Sequence, residues 1–96
     1  MAAMNKYSPV TRDLLRAAGF ECLSEDEREW SYISQYDESE VRATFCKGTV
    51  EIFFAGSSGF KILCVGPRIG NLLYMLQQYG GPADLVENIN NILIGR

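Results

Sequence analysis

Four strand-like runs, Glu29–Gln35, Glu40–Cys46, Thr49–Ala55 and Phe60–Val65, are separated by connections of only two to four residues. Each run is rich in aromatic and β-branched residues and alternates with period two. A parallel neighbour needs a crossover of a dozen or more residues, so loops this short restrict the four runs to an antiparallel meander.

Loop length also predicts register. A two-residue turn at Lys47-Gly48 sets Phe45 opposite Val50 and Ala43 opposite Ile52. A four-residue loop over 36–39 sets Trp30 opposite Phe45 and Tyr32 opposite Ala43. A three-residue loop, Ser57-Ser58-Gly59 with Gly59 left-handed, sets Phe54 opposite Ile62 and Ile52 opposite Cys64. The core face then reads Trp30, Tyr32, Val41, Ala43, Phe45, Val50, Ile52, Phe54, Phe60, Ile62 and Cys64. The opposite face is mixed, with Arg42, Glu51 and Lys61 placed for cross-strand ion pairing. Its Ile33, Phe53, Leu63 and Val65 are more apolar than free solvation requires, so the first helix or a second copy is expected to cover part of it.

Helical signals flank the meander. Ser8 as N-cap and Pro9 at the first helical position open a helix that Gly19 closes, with Val10, Leu14, Leu15 and Ala18 on one face. Phe20–Leu23 reads as a possible extra edge strand. Ser24-Glu25-Asp26-Glu27 fits a capping box and a single helical turn. After Gly66-Pro67, the residues Ile69, Leu72, Leu73, Leu76 and Tyr79 recur at helical spacing. After Gly80-Gly81-Pro82, so do Leu85, Val86, Ile89, Ile92 and Leu93, up to Gly95. The expected fold is one α+β domain over residues 1–96 in two layers, a four-stranded antiparallel meander carrying a C-terminal helical hairpin, in the order α-β-β-β-β-α-α.

Composition narrows the function. At 96 residues, 47% hydrophobic and 22% charged, the chain has the balance of a soluble globular domain. It shows neither a signal-peptide core nor a membrane-spanning run, which predicts a cytoplasmic protein without membrane contact. It contains no histidine, so the commonest general base and metal ligand is missing, and neither a metal nor another cofactor is expected. Cys22, Cys46 and Cys64 form an odd set without Cys-x-x-Cys spacing and read as free, buried thiols.

Charge is uneven. Residues 21–40 hold eight acids and one base, a balance of −7, while the remaining residues hold four acids and eight bases, a balance of +4. Those bases are scattered singly, without the basic stripe that nucleic-acid binding needs, so direct nucleic-acid contact is not expected. The acids Glu25, Asp26, Glu27, Glu29, Asp37 and Glu38, with Tyr36 as an aromatic anchor, are the candidate surface for a basic protein partner. A solvated, like-charged rim guarding an edge strand is the simpler reading of the same acids. Tyr74, Met75 and Tyr79 widen the apolar stripe of the second helix beyond one contact surface, which makes a homodimer seam a further expectation.

The strand–helix junction Gly66, Arg68, Gly70 and Asn71 is the candidate ligand site. Orphan N–H groups at a helix start attract anions, Gly70 would admit a phosphate, and Arg68 could close over it. A plain strand stop and helix start explains the same residues. The 56–59 loop reads as a hairpin, since no helix follows it and a serine nucleophile would lack a histidine base. The leading expectation is therefore a non-enzymatic interaction module, homodimeric or docking an acidic surface on a basic partner. Inhibitors and accessory proteins of mobile elements share this size and acidity, an association of composition alone. The alternative is a phosphate- or nucleotide-binding protein using the Gly66–Asn71 junction.

Overall fold

A computed structural model describes the backbone of residues 5–56, 59–66 and 68–95 and, outside 55–65, their side chains. The elements are α1 (Arg12–Ala17), β1 (Glu21–Cys22), β2 (Glu29–Ile33), β3 (Glu40–Cys46), β4 (Thr49–Gly56), β5 (Gly59–Val65), α2 (Ile69–Gln78) and α3 (Ala83–Leu93). The strands form one antiparallel sheet in the order β1-β2-β3-β4-β5. The α+β meander with two C-terminal helices is the expected architecture, and Phe20–Leu23 does contribute the extra edge strand.

Period-two burial sets the inner face. Trp30, Tyr32, Val41, Ala43, Val50, Ile52 and Phe54 are buried, and Phe45 packs against them from the rim. Leu14 and Leu15 of α1, Ile69, Leu72 and Leu76 of α2, and Leu85 and Ile89 of α3 join the same cluster. All three helices therefore lie on one side of the sheet. Asn88 of α3 donates to the Ala18 carbonyl at 3.0 Å, tying α3 to the end of α1. The first helix does not cross behind the sheet, because its short apolar face is used up in the shared core.

Glycines stop α1 and α2 in the same way. Gly19 (φ +104°) and Gly80 (φ +79°) adopt the left-handed conformation just past each helix. The amides that follow reach back, Phe20 to the Leu15 carbonyl at 2.9 Å and Gly81 to the Leu76 carbonyl at 2.6 Å.

The register at the Lys47-Gly48 turn is as expected, with Phe45 opposite Val50 and Ala43 opposite Ile52. Two other registers are corrected. Trp30 faces Ala43 and Tyr32 faces Val41, a shift of two residues that preserves the face. The cause is that β2 ends at Ile33, and Ser34 and Gln35 enter the loop, where Asp84 holds them. Between β4 and β5 the shift is one residue: Phe54 faces Lys61, Ile52 faces Leu63 and Gly56 faces Gly59. The connection is thus one residue shorter than expected, and a one-residue slip exchanges the two faces of a strand. Ser57, Ser58 and Pro67 lie outside the described residues, as do the side chains of Phe60, Ile62 and Cys64 assigned to the core.

Helix α1 starts at Arg12 rather than at Pro9. Thr11 is its N-cap, accepting from the Leu14 amide at 3.1 Å. Ser8 is committed elsewhere: its hydroxyl accepts from Asn5 N at 3.1 Å and its carbonyl from Ile69 N at 2.9 Å. The segment Ser24–Glu27 is a turn, not a helical turn. Two cysteines also depart from expectation, Cys22 being exposed and Cys46 half-buried, both with free thiols. They sit on the edge strand and on the last, outward-facing position of β3.

Candidate functional site

The acidic segment does not form one surface. Glu25, Asp26 and Glu27 occupy the β1–β2 turn, Glu29 begins β2, and Tyr36, Asp37 and Glu38 occupy the β2–β3 loop. The five residues of β2 separate the two loops by about 17 Å at ~3.3 Å per residue. All seven side chains are exposed, Tyr36 at 77%.

Each loop is locked by its own polar groups. In the first, the Ser24 hydroxyl donates to Asp26 at 2.7 Å and accepts from the Arg28 and Glu29 amides, both at 3.1 Å. The Ser24 hydroxyl, helped by the Arg28 amide, holds the Asp26 carboxyl below its usual range. Glu27 takes a left-handed φ of +58°, and its carbonyl accepts from Trp30 Nε1 at 2.8 Å and Arg12 Nε at 3.1 Å. Its carboxylate also pairs with Arg12 at 3.6 Å. In the second loop, Asp37 accepts from the Ser39 hydroxyl at 2.6 Å and the Ser39 amide at 3.0 Å, and these bonds lower its pKa. Glu38 is also left-handed, with φ +61°.

Behind the second loop lies a carboxylate that sequence reasoning missed. Asp84, in the first turn of α3, accepts from the Tyr32 hydroxyl at 2.5 Å, the Ser34 hydroxyl at 3.0 Å and the Gln35 amide at 3.1 Å. The only local signal was an acid at a helix start; its partners are about fifty residues away. Burial pushes the Asp84 carboxyl up, but the bonds from Tyr32, Gln35 and Ser34 outweigh it and leave it below the usual carboxylate range. Burial, and then the bond to Asp84, push the Tyr32 phenol well above its ordinary value.

A carboxyl whose folded pKa is depressed contributes stability that is complete above its unfolded value of about 3.9 and is lost as pH falls through the folded pKa. Stability is expected to hold from pH 7 to about 5 and to fall below about pH 4. The Asp84→Asn variant should show a shallower fall in urea titrations across that range.

At the proposed ligand junction, Gly66, Arg68, Gly70 and Asn71 do come together, but against the chain's own N-terminal segment. The Ile69 amide donates to the Ser8 carbonyl at 2.9 Å and the Gly70 amide to the Lys6 carbonyl at 2.8 Å, while Arg68 Nη1 donates to the Tyr7 carbonyl at 3.1 Å. A Cβ at Gly70 would stand 3.0 Å from the Lys6 carbonyl oxygen, and one at Gly66 would stand 2.7 Å from Asn71 Oδ1. The close approach that glycine permits here is made by protein, and the first two helix donors are already used.

The outer face of the sheet is built in rows. One runs Glu21–Ser31–Arg42–Phe53, another Glu29–Thr44–Glu51, a third Ile33–Glu40–Ala55. Arg42 pairs with Glu40 at 3.0 Å, and the Lys61 side chain of the expected Arg42–Glu51–Lys61 group lies outside the described residues. The bond from the Ser31 hydroxyl to Glu40 (2.6 Å) and then Arg42 lower the Glu40 pKa against a smaller effect of burial. On the helical side, Tyr74 and Tyr79 of the anticipated seam are exposed, at 59% and 43%, whereas Leu72 is fully buried and Met75 packs against the core.

Among the described residues, no group of three or more acids or cysteines is placed to hold a metal ion, and no helix is long and apolar enough to cross a membrane. Among the described residues, fold and surface together define a two-layer α+β domain with one helix-covered and one helix-free sheet face. Comparison with protein-family models, curated proteins and solved structures found no match.

Proposed function

We infer that this protein is a non-enzymatic interaction module that docks an acidic surface on a basic protein partner. The observation that carries this reading is the outward presentation of acids at both ends of β2, with Glu25, Asp26 and Glu27 on one turn, Glu29 at the start of the strand, and Asp37 and Glu38 on the far loop, the two loops being fixed by hydrogen bonds of Ser24, Asp37 and Ser39. Fixed carboxylates lose less freedom on binding than carboxylates on mobile loops, and like-signed charge speeds encounter with a partner of opposite sign. Nucleic acid and anionic membranes would be repelled by the same charge. The lack of histidine supports the non-enzymatic part of the reading.

Glu38 adds support. A non-glycine residue at φ +61° carries a cost of about 1–2 kcal/mol, and an exposed acid held there is a candidate for a role in binding. Glu38→Gly is expected to raise stability by up to about 1 kcal/mol, since glycine's extra unfolded entropy cancels part of the relief. It should weaken partner binding at the same time. The main test is capture from the native host using the wild-type chain and a Glu25→Lys/Glu29→Lys/Glu38→Lys variant, at low and high salt. Partners should be lost on reversal and in salt; if every partner survives the reversal, the acidic-surface reading is wrong.

A further inference from the structure

We propose that the outer sheet face is the docking platform, and that its occupant is a basic amphipathic helix of a partner protein. This rests on the acidic-docking reading and specifies its surface and its ligand.

The face carries two adjoining shallow hollows. Leu23, Ser31, Ile33, Glu40 and Arg42 line one of about 280 Å³, while Arg42, Thr44, Glu51 and Phe53 line another of about 200 Å³. Leu23 is 50% and Ile33 59% exposed. Their shared wall, Arg42, is already paired with Glu40. Strands lie about 4.8 Å apart, so hollows displaced by one or two strands are separated by roughly 5–10 Å. Side chains at i, i+4 and i+7 of a helix, rising ~1.5 Å per residue, span the same range.

Charge selects the partner. The described outer positions hold Glu21, Glu29, Glu40 and Glu51 against the single Arg42. A second copy laid face to face would set these carboxylates against one another, which disfavours self-association here. A basic element gains from the same arrangement. Backbone chemistry selects the helix: β2, β3 and β4 are paired on both edges and the edge strand β1 beside the first hollow is only two residues long, so the hollows offer an extended peptide too little ladder to join. The occupant must satisfy its own backbone groups, as a helix does.

The test is fluorescence anisotropy with three labelled 14-residue helical peptides. One has a leucine stripe flanked by lysines, one the same lysines with serine for leucine, and one the leucine stripe with glutamates for lysines. They are titrated against the wild-type protein, a face variant (Glu21→Lys/Glu51→Lys) and a loop variant (Glu25→Lys/Glu38→Lys). Circular dichroism confirms that each variant is folded. The lysine–leucine peptide should bind wild type at least tenfold more tightly than either other peptide. It should lose tenfold or more on the face variant and a smaller, severalfold amount on the loop variant, whose carboxylates flank the face. Loss confined to the loop variant would overturn the platform but leave acidic docking standing. Equal binding of the glutamate or serine peptide would overturn the stated partner chemistry. Failure of both lysine peptides to bind wild type would overturn this proposal and the acidic-docking reading together.

Discussion

Trp30→Ala is expected to lower the unfolding free energy by about 3–5 kcal/mol, as truncation of a buried aromatic side chain does. Trp30 is 1% exposed on the inner face, between the edge strand β1 and β3. Its indole also fixes surrounding structure: Nε1 donates to the Glu27 carbonyl at 2.8 Å, and the Arg16 guanidinium lies 5.3 Å from the ring centroid. Removing the ring leaves a cavity between sheet and α1 and frees the β1–β2 turn from its anchor. A domain of this size is stable by about 5–15 kcal/mol, so the variant should lose a large share of its stability. Each kcal/mol corresponds to about 4–8 °C in Tm. Urea unfolding followed by circular dichroism measures the change, because the substitution removes the chain's one tryptophan. A loss below about 1.5 kcal/mol would show that Trp30 does not anchor the core.

Asp84→Ala is expected to cost about 2–4 kcal/mol. Three donors converge on this carboxylate, and hydrogen bonds to a charged acceptor contribute about 1.5–3 kcal/mol each; the half-buried setting of Asp84 reduces that total by solvent screening. The alanine leaves the hydroxyls of Tyr32 and Ser34, residues only 5% and 3% exposed, without their acceptor. Asp84→Asn should cost only about 1 kcal/mol. Its oxygen can serve Tyr32 and Gln35, and its amide can donate to a rotated Ser34 hydroxyl. Equal losses in the two variants would mean that the network contributes through packing rather than through its hydrogen bonds. Amide exchange at Gln35 separates these outcomes, since its N–H should be the first group in the loop to lose protection.

The elements and the inner face were legible in the sequence because both depend on local periodicity. The alternation from Trp30 through Phe54 put seven residues on the core face where the structure buries them, and Gly19 and Gly80 marked helix ends by a conformation that glycine readily adopts. What escaped were contacts between distant segments. Ser8-Pro9 has the local form of a helix start, yet the Ser8 carbonyl serves the amide of Ile69 sixty-one residues later. Gly70 and Arg68 have the local form of an anion site, yet the segment around Lys6 and Tyr7 takes up their donors. The β2–β3 register depended on Asp84 drawing Ser34 and Gln35 out of the strand. The acidic segment reads as one block in sequence and becomes two loops because a strand runs through its middle.

An open outer sheet face underlies the proposed partner, and solvent mapping of methyl groups tests it most directly. With a soluble paramagnetic probe added to the isolated, methyl-labelled protein, the Leu23 and Ile33 signals should broaden strongly, while those of Val41, Val50 and Ile52 stay sharp. If Ile33 is as protected as Ile52, the sheet is covered on both sides and the docking platform does not exist.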